Sequence, residues 1–237
     1  MSIPKKIHYC WFGGAPMGRR AGRCMESWRR FCPDFELIRW DESNAPLKDN
    51  DYVRQAFRAR KWAFVSDYVR LAALCDQGGI YLDTDVELLA PLEPFLTCEA
   101  FLGFESHEKV ATCLMACRPG HPLFRRAAAC DGTRQFLRPD GSVDDTTNVE
   151  LMTTLLVGEG LVRDNRMQEI CGVSVYPSAY FSPKSLETGR ITLTEHTCAV
   201  HYFQASWMPA KKRLNARLAQ LLGPEATRSI KRRLGRD

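Results

Sequence analysis

The sequence predicts an α/β layered domain with a mostly parallel sheet flanked by helices, and three observations carry that prediction. Apolar runs of strand length lie at residues 7–12, 35–40 and 80–82, amphipathic segments of helical period separate them, and Gly or Pro marks the junctions. The 237 residues, 45% hydrophobic and 26% charged, are enough for one domain with a full core and a cleft, and they exclude a disordered or fibrous chain.

Taken in order, residues 7–12 form a buried strand that ends at Gly13-Gly14. An amphipathic helix around 25–31 follows and stops at Pro33-Asp34, and residues 35–40 give a second strand before the polar loop Asp41-Glu42-Ser43-Asn44. From 52 to 77 good helix formers predict one long helix with Val65, Tyr68, Val69, Ala72 and Ala73 on its apolar face. Gly78-Gly79 ends it, since glycine accepts the left-handed conformation that satisfies the last carbonyls, and 80–82 follow as a short buried strand. Further strands are expected at 101–104, 112–117, 173–176 and 199–203, with helices at 123–130 and 148–157. There are no internal repeats or low-complexity linkers.

The net charge of +5 is uneven: residues 210–237 carry nine Lys or Arg against two Asp or Glu, a local +7 that leaves the remainder at −2. This divides the chain into a domain, 1–209, and a basic helical tail, 210–237. Leu214, Leu218 and Leu221 share one face of the tail, with Lys211, Arg213 and Arg217 elsewhere. The pattern suits an interfacial helix touching a membrane through 211–234, and equally a closing helix docked on the domain with a solvated basic face. The rest of the chain has no basic stripe interleaved with aromatics, which argues against nucleic acid. The opening MSIPKKIHYCWF has too short an apolar stretch for a signal peptide, and no later run reaches spanning length, so a cytoplasmic location is expected, peripheral to a membrane at most. Ten cysteines are scattered through helical and strand segments without a CxxC pair, so free thiols are expected; Cys113 and Cys117 have no second pair or histidine cluster to complete a zinc site.

The most informative segment is Gly78-Gly79-Ile80-Tyr81-Leu82-Asp83-Thr84-Asp85-Val86-Glu87, where an apolar strand runs into alternating carboxylates. If the chain stays extended, Asp83, Asp85 and Glu87 share one side. Such carboxylates sit where open α/β sheets place their ligand crevice, and they repel one another unless a cation is shared between them. Magnesium or manganese suits oxygen ligands and leaves positions open for the oxygens of a diphosphate. The competing account is a solvated acidic turn. Upstream, Ser66, Asp67 and Arg70 interrupt an apolar helix, with Asp67 and Arg70 on one face; the local alternative is a simple surface ion pair.

Together, Ile7-His8-Tyr9-x-Trp11-Phe12-Gly13-Gly14, Ser66-Asp67-x-x-Arg70 and Gly78-Gly79-Ile80-Tyr81-x-Asp83-x-Asp85 resemble the DXD-containing sugar transferases of glycosyltransferase family thirty-two, and the catalytic domain of the large glucosylating cytotoxins. The resemblance is strongest over 3–95, weak in the middle, and returns at 201–207. It implies a GT-A fold, Rossmann-like in its nucleotide half, and retaining transfer from a nucleotide-sugar donor, UDP-linked by preference and GDP-linked otherwise, to a glycan or lipid-linked acceptor in surface polysaccharide synthesis. It also implies roles: Trp11 stacking on the donor base, Asp67 and Arg70 gripping ribose and sugar hydroxyls, Tyr81 packing near the nucleotide, and Asp83 and Asp85 meeting ribose and Mn2+ or Mg2+. His201 is the further metal ligand by resemblance, although a lone histidine is more often a satisfied core residue. Ser206 and Trp207 would contact the leaving phosphate. For the sugar-contacting residue of the middle region, Asp145 and Asn148 are the candidates, against a plain helix cap by Thr146 or Thr147. Two other functions compete. One is a magnesium-dependent aspartyl phosphotransferase with Asp83 as nucleophile, which lacks a second acidic motif downstream and leaves Trp11, Asp67 and Arg70 unexplained. The other is a non-enzymatic membrane-surface module acting through the tail.

Overall fold

A computed structural model describes residues 2–204, so the tail expected at 210–237 and the boundary before it lie outside the described residues. Strand β1 (Lys6–Cys10), helix α1 (Arg19–Phe31) and strand β2 (Glu36–Trp40) form the expected opening, with β1 and β2 parallel from Lys6 opposite Glu36 to Cys10 opposite Trp40. Helix α1 buries Ala21, Cys24, Met25 and Trp28, a spacing of three and four that defines one inward stripe. Full burial of a side chain such as Trp28 contributes a few kcal/mol, about 1.5–3 for the large apolar residues.

The long helix expected over 52–77 is two helices, α2 (Asp51–Arg58) and α3 (Trp62–Gln77). The break has a defined geometry: Lys61 N–H donates to the Ala56 carbonyl at 2.9 Å, Arg60 N–H donates to that of Phe57 at 2.9 Å, and Arg60 itself is left-handed with φ 54°. This is a Schellman cap closed by an arginine where glycine is usual, so composition does not announce it. Asn50 caps the front of α2 by accepting from Val53 N–H at 3.0 Å. At the far end of α3, Gly78 turns the chain at φ 63°, where a Cβ would lie 2.8 Å from the Cys117 carbonyl; this junction admits only glycine.

The chain continues through β3 (Gly79–Leu82), β4 (Val86–Leu88), β5 (Ala100–Phe104), β6 (Val110–Cys117), α4 (Pro122–Thr133), α5 (Asn148–Gly158), β7 (Gln168–Ile170), β8 (Val173–Tyr176), α6 (Ser178–Phe181) and β9 (Ala199–His201). Seven strands make one sheet in the order β2-β1-β3-β6-β5-β8-β7, while β4 and β9 pair separately. Their pairings leave β1, β2, β3, β5 and β8 pointing one way and β6 and β7 the other. The expected mostly parallel sheet is therefore present, and the carboxyl ends of five strands share one edge. Strands β4 and β7 are additional to those expected, and the last strand ends at His201, with Phe203 left-handed at φ 51°.

The two faces follow from the period of two along each strand. Ile7, Ile80, Leu82 and Leu114 pack with Trp28 of α1 in one core, and Tyr81, Phe104 and Met115 pack with Leu71, Leu74, Phe124 and Met152 of the helices on the other. All ten cysteines are free thiols, as expected. Among the described residues no helix is long and apolar enough to cross a membrane.

His8 of β1 is fully buried and ties its strand to β2 and to the glycine that caps α3. Its Nε2 lies 2.8 Å from the Gly78 carbonyl, which only accepts, and its Nδ1 accepts the Trp40 indole N–H at 3.1 Å. The ring is thus neutral with its proton on Nε2. Burial pushes its pKa below the ordinary 6.5, so the unfolded chain takes up a proton that the folded one resists. The resulting stability is complete above about pH 6.5 and is lost as pH falls toward the folded-state pKa. His8→Gln, whose amide offers one donor and one acceptor, is expected to lose that part of the acid sensitivity. Urea unfolding of both proteins at about pH 8 and about pH 5 checks it, and an identical pH dependence would rule the account out.

Candidate active site

Because side chains alternate, Tyr81 and Asp83 emerge on the face of β3 that meets α3, where Asp67 and Arg70 stand one turn apart. Arg70 is the hub of this cluster and is 6% exposed. Its Nη2 lies 3.1 Å from Asp67 Oδ1 and 3.2 Å from Asp83 Oδ1, its Nη1 donates to the Thr112 carbonyl at 2.8 Å, and its Nε donates to the Ser66 carbonyl at 3.3 Å. The guanidinium also sits 4.5 Å from the centre of the Tyr81 ring, and Tyr81 OH donates to Asp83 Oδ1 at 3.0 Å. Burial opposes the charge on Arg70, but Asp83, Tyr81 and Asp67 more than offset it and hold its pKa above the ordinary value. Burial likewise raises the Asp67 carboxyl, against the pull of Arg70. The surface ion pair considered for Asp67 and Arg70 is in fact a buried network of two carboxylates around one guanidinium.

The chain does not stay extended through the acidic run. Val86 N–H donates to the Asp83 carbonyl at 2.9 Å, a tight turn that ends β3 and starts β4. Asp83 and Asp85 therefore converge, and Glu87 leaves them to accept from Tyr202 OH at 2.5 Å. The turn is anchored on both flanks: Asp83 N–H donates to the Cys113 carbonyl at 2.8 Å, and the Trp28 indole N–H donates to the Val86 carbonyl at 2.8 Å. Strand β9 then pairs with β4, setting His201 directly opposite Val86. His201 Nε2 lies 3.3 Å from Asp85 Oδ1, while Gln204 N–H donates to Asp85 Oδ2 at 2.7 Å. Burial raises the Asp85 carboxyl, but His201 and the Gln204 N–H outweigh it and leave the pKa low. Burial disfavours charge on His201, yet Cys113 and Asp85 raise its pKa well above the ordinary value.

One ligand atom from each of Asp83, Asp85 and His201 lies within 4.8 Å of the others, the one such group among the described residues. Two carboxylates and an imidazole are a donor set that fits a manganese or magnesium ion, and His201 is paired with Asp85 inside that group. Asn148 is 1% exposed and its Nδ2 donates to the Asp67 carbonyl at 2.7 Å, whereas Asp145 is exposed on the surface. Thr147 caps α5 through a capping box with Glu150, the plain helix cap that competed with a sugar contact for this segment. Trp11 and Ser66 are half-buried; the Trp11 indole donates to the Ala15 carbonyl at 2.6 Å, folding the loop beyond β1. Ser206 and Trp207 lie outside the described residues.

Sequence reasoning missed three contributors. Trp62, the first residue of α3, packs so closely on Gly13 that a Cβ there would fall 2.7 Å from its Nε1. Thr112 supplies only a carbonyl, which no side-chain pattern reveals. Glu105 follows buried β5 as Asp83 follows β3, the same signal of a carboxylate after an apolar strand, and burial raises its carboxyl beside His201 and Asp83.

Residues 18–102 match the family described as glycosyltransferase sugar-binding region containing DXD motif. Inositol phosphoceramide mannosyltransferase 3 of Schizosaccharomyces pombe is 30% identical over 133 residues, which is 52% of this chain and 35% of that protein. An uncharacterized glycosyltransferase of Acanthamoeba polyphaga mimivirus is 26% identical over 229 residues, covering 89% of this chain and 86% of the other. The chain thus spans about a third of the yeast relative's length and most of the viral one's. Among solved structures, PaToxG glycosyltransferase aligns with TM-score 0.55 at 18% identity, over 67% of this chain and 70% of that one. The glycosyltransferase GlyE of Streptococcus pneumoniae aligns with TM-score 0.53 at 9% identity, over 98% of this chain and 64% of that one. At these identities the structural likenesses speak for the fold, which is GT-A. The matched region and the fold agree: residues 18–102, which include Asp83-Thr84-Asp85, are similar to the DXD-containing sugar-binding region, and they sit in a GT-A fold.

Proposed function

We propose that the protein is a retaining, divalent-metal-dependent transferase that moves a sugar from a nucleotide-sugar donor to a glycan or lipid-linked acceptor. The observation that supports this best is the convergence of Asp83, Asp85 and His201 beside the buried Arg70 network. In this reading these three residues hold Mn2+ or Mg2+, which offsets the charge developing on the departing diphosphate. Asp67 and Arg70 grip ribose and sugar hydroxyls, Tyr81 packs near the nucleotide, Trp11 stacks on the donor base, and Ser66 is a further donor contact. The Asn148 Oδ1 has no hydrogen-bond partner in the structure despite its burial and accepts from a sugar hydroxyl. The acceptor hydroxyl attacks from the side of the leaving group, whose phosphate oxygen takes its proton, so no protein carboxylate becomes glycosylated; a trapped sugar ester would refute this step.

Asp83 is poorly placed as the nucleophile of a phosphotransferase. Its Oδ1 is engaged by both Arg70 and Tyr81 OH, and its lone pairs are drawn toward buried donors. The yeast relative is named for mannose transfer to an inositol phosphoceramide, which keeps GDP-mannose and lipid acceptors in the proposal beside UDP-sugars. Synthesis of a surface polysaccharide, and peripheral membrane contact through 211–234, belong to the same proposal.

The test is release of nucleoside diphosphate from a panel of UDP- and GDP-sugars, with manganese and with chelator. Release from one donor that needs metal and drops at least about a hundredfold in Asp85→Asn is expected; turnover of phosphate monoesters with silence on every sugar would overturn the assignment. A second prediction concerns the hub. Arg70→Met leaves Asp67 and Asp83 without their counter-charge and is expected to destabilise the fold by about 3–5 kcal/mol, measured as a lower urea midpoint at unchanged m-value.

A further inference from the structure

The loop of residues 134–147, between α4 and α5, carries an ion pair that the reaction does not obviously use. Arg134 Nε donates to Asp144 Oδ2 at 2.8 Å, with the two side chains 17% and 13% exposed. The pair is knitted into the backbone on the α5 side: Asp144 Oδ1 accepts Thr146 N–H at 3.1 Å, and Arg134 Nη2 donates to the Thr146 carbonyl at 2.9 Å. On the other side it is fixed to the helices under the site. The Arg134 guanidinium lies 4.8 Å from the centre of the Tyr52 ring, and Asp144 N–H donates to the carbonyl of Phe136, a fully buried residue packed against Tyr52 and Phe64. Arg134 and Thr146 hold the Asp144 carboxyl well below the usual carboxylate range.

Thr146 leads directly into the Thr147 cap and then Asn148, whose Nδ2 reaches the Asp67 carbonyl and whose Oδ1 is buried without a partner. A loop of this length has no intrinsic reason to deliver Asn148 in one orientation; backbone freedom costs roughly 1–2 kcal/mol per residue to remove. The clasp at Asp144 removes it where it matters, two to four residues before Asn148.

We propose that the Arg134–Asp144 clasp is a positioning device for donor-sugar recognition, acting through Asn148. The proposal rests on the reading of Asn148 as a sugar contact given above. Neither clasp residue touches the donor; both act by fixing the turn that presents the Asn148 carbonyl oxygen.

A double-mutant cycle tests it. Asp144→Asn, Asn148→Ala and the double variant are compared with wild type for KM toward whichever nucleotide sugar the panel identifies, and for Kd of the matching nucleoside diphosphate with manganese. Each single variant is expected to raise the donor KM about fivefold, the size of one lost hydrogen bond, and the double variant no more than Asn148→Ala alone. Nucleoside diphosphate binding stays at the wild-type value throughout, because the sugar contact is absent. A wild-type KM in Asp144→Asn, or additive effects in the double variant, would overturn the clasp. An unchanged KM in Asn148→Ala would instead overturn the reading of Asn148. Amide hydrogen exchange over the first turn of α5 decides the positioning claim without any donor: Asp144→Asn is expected to speed it at least about tenfold, and unchanged protection would overturn the claim. If Asp144→Asn fails to fold, Arg134→Lys, which keeps the charge but lacks the guanidinium's paired donors, replaces it.

Discussion

The site depends on one buried cation. Arg70 lies under two carboxylates, a tyrosine ring and two backbone carbonyls, and every polar atom of its guanidinium has a defined partner. Taking such a charge out of water is costly, and the paired carboxylates of Asp67 and Asp83 offset that cost. The protein cannot bury α3 against β3 without also fixing Asp67 and Asp83 against Arg70.

The second half of the site is assembled by a different force. Asp85 is held from far downstream in the chain, by His201 on β9, by Tyr202 N–H donating to its carbonyl and by Gln204 N–H donating to its carboxylate. The antiparallel pair β4–β9 exists outside the main sheet, and α1 braces it: Trp28 donates to Val86, and Ser27 Oγ accepts the Leu88 N–H at 2.9 Å. Helix α1, which contributes no side chain to the group of Asp83, Asp85 and His201, thus helps to set where the DXD turn lies. Asp83 is locked by side-chain charge and Asp85 by backbone hydrogen bonds, so the two carboxylates are set independently and meet at the turn.

How much of this could be read from the sequence depended on whether its cause was local. Strand and helix positions were legible wherever period and glycine agreed, as at Gly78, which ends α3 and starts β3. The break between α2 and α3 was not, because Arg60 performs a glycine's task and is chosen by the hydrogen bonds of Lys61 and Arg60, not by propensity. Asp83, Asp85, Asp67 and Arg70 were visible as polar residues in apolar runs. Their arrangement was not: an extended chain would have aligned Glu87 with them, and the turn after Asp83 instead hands Glu87 to Tyr202. His201 was nameable only by resemblance, since its pairing opposite Val86 is a contact between distant strands. Thr112 and Gln204 act through backbone atoms and leave no mark in residue identity at all.

The division between side-chain and backbone control explains why polar residues with no room to move surround residues with unmet hydrogen-bonding capacity. Arg70 is paired with Asp67 and Asp83 and Tyr81 OH with Asp83, whereas the buried Asn148 Oδ1 has no hydrogen-bond partner. A buried, unpaired acceptor costs on the order of 1–3 kcal/mol, and a fold that tolerates it a few ångströms from a saturated network is not short of donors by accident of composition. On the function proposed above, the hydroxyls of a donor sugar are donors of the right kind, and the unpaired Asn148 Oδ1 is the atom at which they would add a hydrogen bond.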